Sequence, residues 1–226
     1  MQFDLIVFDL DGTLVETRED LARSVNCALE AEGLPRHPME TVVRFVGDGA
    51  LKLVQRSVGA GSPDETCQRV LASFLEHYLG HCTDHAECYP GVLEVLPMLA
   101  PARLCVLTNK PIAPTRKILD KLGLDPYFED VIGGDDALGR KPDPAAIRSL
   151  IEKSTTTPER TLLVGDTSVD VLTARNCGCR MAGVQFGFRP GDFLNYPPDY
   201  LLSSFLDLPG LLQASLPPPD QANPQN

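Results

Sequence analysis

The sequence predicts an α/β fold: a doubly wound parallel sheet with a helical cap domain inserted after the first strand. Three observations support this prediction. The apolar run Leu5–Phe8 is typical of a buried strand. From about residue 88 onward, apolar runs alternate with helical patterns, which indicates a parallel sheet with helices on both faces. Between them, residues 15–87 carry apolar side chains at helical spacing and contain no clear strand.

The elements after residue 88 follow in regular succession. Asp143 followed by Pro144 indicates a helix N-terminus, and Gly123 and Gly178 indicate helix ends. The predicted strands cover 103–107, 130–132, 161–164 and 181–186, and the predicted helices cover 114–122, 143–153 and 168–176. We therefore assign residues 1–14 and 88–213 to the core, 15–87 to the cap, and the Pro/Asn/Gln-rich residues 214–226 to a disordered tail.

Composition excludes several classes of partner. With 226 residues, 43% of them hydrophobic, the chain can bury a core without disulfides. Its 31 acidic against 20 basic residues give a net charge of −11, which argues against nucleic acid or an anionic membrane as partner. No apolar stretch approaches the roughly 20 residues that span a bilayer, and the N-terminal run does not resemble a signal peptide. Seven cysteines, an odd number, favour reduced thiols and a cytoplasmic location, and we expect a monomer or small homo-oligomer.

Polar residues recur where the predicted strands end. In an open parallel sheet, ligands bind beyond the carboxyl ends of the strands, so these residues are expected to converge. Thr108 and Asn109 offer hydroxyl and amide donors for phosphate oxygens. The predicted site contains Asp9, Asp11, Thr108, Asn109, Asp166 and Asp170.

The segment DLDGT places two like charges at the end of a core strand. Asp9 and Asp11 repel and raise each other's pKa unless a cation lies between them. Gly12 lets the backbone turn tightly beside a ligand. A carboxylate nucleophile, a second carboxylate that can hold a proton and a divalent cation together suit phosphoryl transfer, whereas Asp9 taken alone has a structural role as often as a chemical one.

Two later segments supply further charge. In GDTSVD, Asp166 follows a strand and Asp170 lies one helical turn further, so with Asp9 they form an oxygen-rich set suited to Mg²⁺. For Asp170, a favourable contact with the helix dipole is an equally fair interpretation. In GRKPDP, Lys141 precedes a helix and can hold phosphoryl oxygens beside the nucleophile, although most lysines are simply exposed.

The four segments DLDGT, LTNK, GRKPDP and GDTSVD, in this order, resemble the motifs of the haloacid dehalogenase superfamily of phosphohydrolases. The resemblance covers nearly the whole chain except the tail. It implies that Asp9 is the nucleophile that forms an aspartyl-phosphate, and that Asp11 is the general acid and then the base. It also implies that Thr108 and Lys141 bind the phosphoryl group, and that the helical insertion is a cap that selects substrate. The implied Mg²⁺ ligands are Asp9, the Asp11 backbone carbonyl and Asp166. Asp170 would either bind the metal directly or bind one of the groups that do.

Within the cap, RFVGDGA at 44–50 resembles a segment of phosphoglycolate phosphatases, as do YPGV at 89–92 and GGDDALGRKPDP at 133–144. Superfamily members that act as dehalogenases lack an aspartate at the position of Asp11, so the resemblance implies a phosphate ester, most simply 2-phosphoglycolate. Arg44 could then pair with the substrate carboxylate, and the backbone at Gly47 could approach it closely. A corner between two cap helices would explain the glycines equally well.

One histidine-rich segment lies outside this pattern. EHYLGHCTDHAEC spaces His77, His81 and His85 at helical intervals, with Cys82 and Cys88 nearby. These are metal-binding residue types, but a tetrahedral site needs closing ligands from elsewhere. A solvated helix face is therefore the favoured interpretation.

Other functions share parts of the pattern. A sugar-phosphate phosphatase or a β-phosphoglucomutase-like mutase would use the same core, the mutase passing its phosphoryl group to a second sugar hydroxyl. A phospho-Asp receiver module for signalling also combines an acceptor Asp, a Thr, a Lys and Mg²⁺, but its chain has neither a second Asp after the acceptor nor a cap. The expected partner is a small phosphorylated metabolite.

Overall fold

The computed structural model describes residues 2–213, which alternate strands and helices as predicted. The strands are β1 (Leu5–Phe8), β2 (Val15–Glu16), β3 (Glu87–Cys88), β4 (Arg103–Leu107), β5 (Asp130–Ile132), β6 (Thr161–Gly165), β7 (Arg180–Val184) and β8 (Tyr200–Leu202). The α-helices are α1 (Arg18–Ala31), α2 (Met39–Phe45), α3 (Ala50–Val58), α4 (Asp64–His81), α5 (Val92–Val95), α6 (Ile112–Lys121), α7 (Ala145–Lys153), α8 (Ser168–Cys177) and α9 (Leu208–Gln213). The predicted disordered tail, 214–226, lies outside the described residues.

Strand β1 lies inside the main sheet, between β4 and β6. Leu5 stands opposite Arg103 of β4 on one side and opposite Thr161 of β6 on the other. The strand order is β5-β4-β1-β6-β7-β8, and neighbouring strands are parallel. From β1 the chain first adds β4 and β5 on one side and then adds β6, β7 and β8 on the other side. This path confirms the predicted doubly wound sheet. Its ligand crevice lies at the carboxyl ends of β1, β4 and β6.

The side chains of β1 are buried on both faces of the sheet. Leu5 and Val7 belong to the hydrophobic cluster beneath α7 and α8, whereas Ile6 and Phe8 belong to the larger cluster on the opposite face. Phe8 stacks on Phe205, with ring centroids 5.9 Å apart. Because both faces are packed, the residues that follow β1 begin from a fixed position.

Four helices, α1 to α4, lie between β2 and β3, and we call them the cap helices. Val15 of β2 pairs antiparallel with Cys88 of β3, so the chain leaves and re-enters the core side by side. The sequence predicts no strand in this region, because two-residue strands are too short to carry an apolar pattern. The cap helices pack through buried side chains of α1 and α4, among them Leu21, Val25, Leu29, Val70 and Phe74.

Most predicted strand bounds agree with the structure. The ranges of β4 and β5 match, β6 is one residue longer than predicted, and β7 spans 180–184 where 181–186 is predicted. Strand β8 is not predicted, because Leu201 at its centre is 54% exposed and the strand has no continuous buried run.

Across residues 2–213, no helix is both long enough and apolar enough to cross a membrane.

Candidate active site

Hydrogen bonds to the backbone and to the side chain hold Asp9 in place directly after β1. Its backbone N–H donates to the Val164 carbonyl at 2.9 Å, which extends the pairing of β1 with β6 by one residue. Its Oδ1 accepts hydrogen bonds from the Leu10 N–H at 2.7 Å and from Lys141 Nζ at 3.0 Å. The side chain is 13% exposed and lines a cavity between the core and the cap helices.

Gly12 brings the DLDGT loop against the end of β6. Its φ of +79° lies in the left-handed region that favours glycine. A Cβ atom at this position would overlap the Asp166 carboxylate and touch the Phe188 ring. Asp166 itself is fully buried; its Oδ2 accepts from the Phe188 N–H at 2.7 Å, whereas its Oδ1 has no hydrogen-bond partner.

Lys141 joins Asp9 to Asp170. Its ammonium lies 3.0 Å from Asp9 Oδ1 and 2.6 Å from Asp170 Oδ1, and its side chain is 2% exposed. The other oxygen of Asp170, Oδ2, accepts hydrogen bonds from the N–H and the hydroxyl of Thr167 at 3.1 and 2.9 Å. Asp170 therefore closes a capping box at the start of α8 and holds the lysine at the same time.

Burial disfavours the charged forms of the carboxylates at these strand ends. Burial raises the pKa of Asp9 from its ordinary 3.8 to about 6; Lys141 opposes this shift, and Asp170 and Asp11 add to it. Burial, Asp170 and Asp9 raise the pKa of Asp166 well above its usual range. Burial disfavours the Lys141 ammonium, but Asp170 and Asp9 outweigh this effect and raise the pKa of Lys141. The lysine therefore stays charged near neutral pH.

Asp9, Asp166 and Asp170 present oxygen atoms suited to a metal ion. One oxygen from each carboxylate lies within 4.8 Å of the others. The unpartnered Oδ1 of Asp166 is a buried acceptor that a cation would satisfy. A donor set made only of oxygens is the kind that hard divalent cations prefer. These residues fit a divalent metal.

Asp11 is held by a separate group of residues. Its Oδ1 accepts from Thr17 Oγ1 at 2.6 Å, and its Oδ2 lies 2.9 Å from Lys110 Nζ. Lys110 is buried, donates to the Tyr78 hydroxyl of α4 at 2.6 Å, and places its ammonium 4.4 Å from the centre of the Tyr78 ring. The sequence predicts no role for Lys110, although its position in LTNK, three residues after the end of β4, is a signal that could have identified it.

Asn109 joins the cap helices to the core. Its Nδ2 donates to the backbone carbonyl of Gly47 at 2.8 Å and to that of Lys141 at 2.9 Å. Both amide hydrogens are therefore engaged by carbonyls, unlike the predicted use of Asn109 as a phosphate donor. Thr108, which is buried, and Gly47 both line the cavity.

Arg44 lies neither at this cavity nor in the charged cluster that Lys141 and Asp170 form beside Asp9. It lies in the last turn of α2, is exposed, and donates to Thr41 Oγ1 at 3.0 Å. The phase of the helix explains this placement, because Val42 and Val43 occupy its buried face and Arg44 follows on the solvent side.

The histidine-rich segment contains no metal site within residues 2–213. Helix α4 ends at His81, so His85 does not continue the helical face of His77. The Nδ1 of His77 lies 3.0 Å from Ser24 Oγ, and that of His85 lies 2.7 Å from Asp20 Oδ1. Among the described residues, only the carboxylates of Asp9, Asp166 and Asp170 bring three candidate ligand atoms together.

The cavity has a charged floor and an apolar roof. Its volume is about 50 Å³, enough for a few water molecules. The floor contains Asp9, Asp11, Thr108, Asn109, Lys110 and Asp166, and the roof, from the cap helices, contains Leu21, Ala50, Leu53, Phe74 and Leu75. Lys110 is its only cationic lining residue in the described part of the chain, because Lys141 lies behind Asp9.

A capped, doubly wound α/β core with two separately held carboxylates, a buried lysine and an oxygen-rich carboxylate cluster defines a class of hydrolytic enzymes. The chain belongs to the haloacid dehalogenase-like hydrolases, whose family model matches residues 6–184. This confirms the resemblance seen in the four sequence segments and the prediction that the protein is an enzyme.

Similar proteins cover most of the chain. It is 38% identical over 209 residues to a phosphoglycolate phosphatase of Caulobacter vibrioides, covering 90% of this chain and 88% of that protein. It is also 38% identical to a phosphoglycolate phosphatase of Rhodospirillum rubrum, covering 81% of this chain and 80% of that protein. The crystal structure of a predicted phosphoglycolate phosphatase from Haemophilus somnus superposes with a TM-score of 0.89 at 32% identity, covering 94% and 99% of the two chains.

The fit at Gly12 can be tested by Gly12→Ala. The new methyl group requires a left-handed φ and overlaps Asp166, so we expect a loss of about 2–5 kcal/mol in the free energy of unfolding. Gly33→Ala is the matched control, because Gly33 has a φ of +68° but no atom within 4 Å of its Cβ position. Urea unfolding that gives equal losses for the two variants would contradict the close approach to Asp166.

The carboxylate cluster predicts that a divalent cation stabilises the fold in a pH-dependent way. Because the pKa of Asp9 is higher in the folded protein than its ordinary value, the metal-free protein loses stability as the pH rises from about 4 through about 6. Above about pH 7, an excess of Mg²⁺ of about 100-fold over its Kd should raise Tm by about 5–10 °C, and at about pH 5 the gain should be much smaller.

Thermal unfolding of two variants tests this prediction further. Asp166→Asn removes a cluster ligand and should lose the Mg²⁺-dependent gain in Tm. Glu76→Gln, on the exposed surface of α4, should keep it. An undiminished gain in Asp166→Asn would mean that the cation binds elsewhere.

Proposed function

We propose that the protein is a Mg²⁺-dependent phosphatase that hydrolyses 2-phosphoglycolate to glycolate through an aspartyl-phosphate on Asp9. The observation that carries this proposal is the separation of the two carboxylates of DLDGT. Asp9 lies against Lys141, whereas Asp11 lies against Lys110 and Thr17. Two neighbouring carboxylates with different partners are suited to two different roles. The names of the relatives, all phosphoglycolate phosphatases among those compared above, support the choice of substrate.

In the first step, an oxygen of the Asp9 carboxylate attacks phosphorus and the bond from phosphorus to the leaving oxygen breaks. Asp11 gives its proton to that oxygen, so glycolate leaves as the alcohol. Lys141 and the Thr108 hydroxyl hold the phosphoryl oxygens. Asp9, Asp166, Asp170 and the Asp11 carbonyl would hold Mg²⁺, which when bound would supply charge neutralisation at the phosphoryl group.

In the second step, Asp11, now ionised, removes a proton from water. The water oxygen attacks phosphorus, the bond from Asp9 to phosphorus breaks, and inorganic phosphate leaves. Asp9 is regenerated as a carboxylate and Asp11 holds a proton again. The apolar roof of the cavity limits the number of waters near the reacting phosphorus.

Lys110 is the residue that we assign to the substrate carboxylate, in place of Arg44. It is buried in the cavity floor, and its ammonium already pairs with Asp11. When Asp11 takes up the proton that the first step requires, this ion pair loses its negative partner. A carboxylate on the substrate then restores the charge balance of a buried ammonium, which is unfavourable when unpaired. A small cavity with one such cation fits a short phosphorylated carboxylic acid.

Phosphate release from a panel of substrates tests the proposal. The panel contains 2-phosphoglycolate, ethyl phosphate, glycerol phosphate, pyrophosphate and hexose phosphates, each with Mg²⁺ and with EDTA. We expect 2-phosphoglycolate to have the highest kcat/KM and EDTA to abolish turnover. Asp9→Asn should lose about 10³-fold or more in kcat/KM, since it removes the nucleophile. Turnover that survives in Asp9→Asn would exclude the covalent step, and a need for a bisphosphate without phosphate release would indicate a mutase.

The role of Lys110 predicts a change of specificity. Lys110→Met should lower kcat/KM for 2-phosphoglycolate about 10–100-fold more than for ethyl phosphate, because only the first substrate has a carboxylate to pair. Arg44→Ala is the control and should change neither value, since Arg44 is on the solvent side of α2. Equal losses on the two substrates in Lys110→Met would show that Lys110 acts only through Asp11.

A further inference from the structure

Two cysteines that the proposed reaction does not use lie in contact at the end of α8. The Sγ atoms of Cys177 and Cys179 are 3.0 Å apart, closer than an ordinary non-bonded contact, and both are free thiols. Each residue is 8% exposed. The other five cysteines of the chain have no such thiol neighbour among the described residues.

The end of α8 explains how two residues so close in sequence bring their sulfurs together. Gly178 adopts a φ of +85° and reverses the chain, with its N–H and that of Cys179 both donating to the Ala174 carbonyl. Both cysteine side chains then enter the hydrophobic cluster beneath α7 and α8.

The two thiols are not equivalent. The Cys179 thiol donates a hydrogen bond to Cys177 Sγ, which lowers the pKa of Cys177; the nearby Arg148 guanidinium acts in the same direction. The pKa of Cys179 is raised by the same contact and by burial. Cys177 is therefore the better nucleophile, and Cys179 stands beside it as a second thiol.

We propose that Cys177 and Cys179 form a reversible dithiol–disulfide couple, a modification site that hydroperoxides oxidise. The Cys177 thiolate attacks one oxygen of hydrogen peroxide, the O–O bond breaks, and the products are a sulfenic acid on Cys177 and, after proton uptake, water. The Cys179 sulfur then attacks the Cys177 sulfur, its proton leaves with the hydroxyl group as a second water, and the S–S bond forms. The two thiols lose two electrons and two protons, and the peroxide gains them.

The short ring explains why the couple is reversible. A disulfide between residues two apart in sequence closes a small ring, and strained disulfides are more readily reduced. Oxidation is also stopped at the disulfide, because Cys179 captures the sulfenic acid before a second peroxide reaches it. This inference is independent of the proposed phosphatase activity.

Peptide mapping of the full-length protein tests the proposal. Trypsin cleaves after Arg175 and Arg180, so both cysteines fall in the peptide NCGCR, which contains no other cysteine. After limited hydrogen peroxide and alkylation, we expect NCGCR to be two hydrogens lighter and unalkylated, while Cys82 and Cys105, which are also buried, are still alkylated after unfolding. Dithiothreitol should restore the dithiol.

Two variants separate the pair from general thiol oxidation. Cys179→Ser should give no lighter peptide and instead a Cys177 sulfenic acid that dimedone traps. Cys105→Ser should leave the oxidation of NCGCR unchanged. The proposal is overturned if NCGCR in the wild-type protein is alkylated to the same extent as Cys105 after peroxide, or if Cys177 passes to sulfinic acid without a disulfide.

Discussion

The interaction on which the rest of the site depends is the contact of one buried ammonium with two carboxylates. Lys141 lies between Asp9 and Asp170, with almost no exposed surface. Without it, three aspartates at adjoining strand ends would repel one another in a poorly solvated place. With it, Asp9 can hold a negative charge at the end of a core strand, and Asp166 is left with an oxygen that a metal can use.

The surrounding fold keeps this arrangement in place. Strand β1 is packed on both faces and cannot shift, and the capping box of α8 fixes Asp170 while leaving one of its oxygens for the lysine. Gly12 permits the DLDGT loop to approach Asp166 at a distance that no other residue allows. Packing, capping and backbone conformation thus each hold one part of the charged cluster.

Sequence patterns located the core of this site and were less informative about the cap. Apolar runs identify β1, β4 and β6, and the polar residues after them converge because parallel strands share one carboxyl edge. Strand β8 has no such run, since Leu201 is exposed. The direction of Arg44 depends on the rotation of a two-turn helix, which spacing over seven residues does not determine. The role of Lys110 depends on Tyr78, 32 positions away in sequence, which no local pattern connects to it.

The side chain of Asn109 has a consequence for motion. One amide group is bonded both to Gly47 in the cap region and to the backbone of Lys141 in the core. Separation of the cap from the core must break the first bond, and the amide that holds the lysine loop then has to find water or another acceptor. The position of the Gly47 backbone and that of the Lys141 loop are therefore linked through a single side chain, because the same amide group holds both carbonyls.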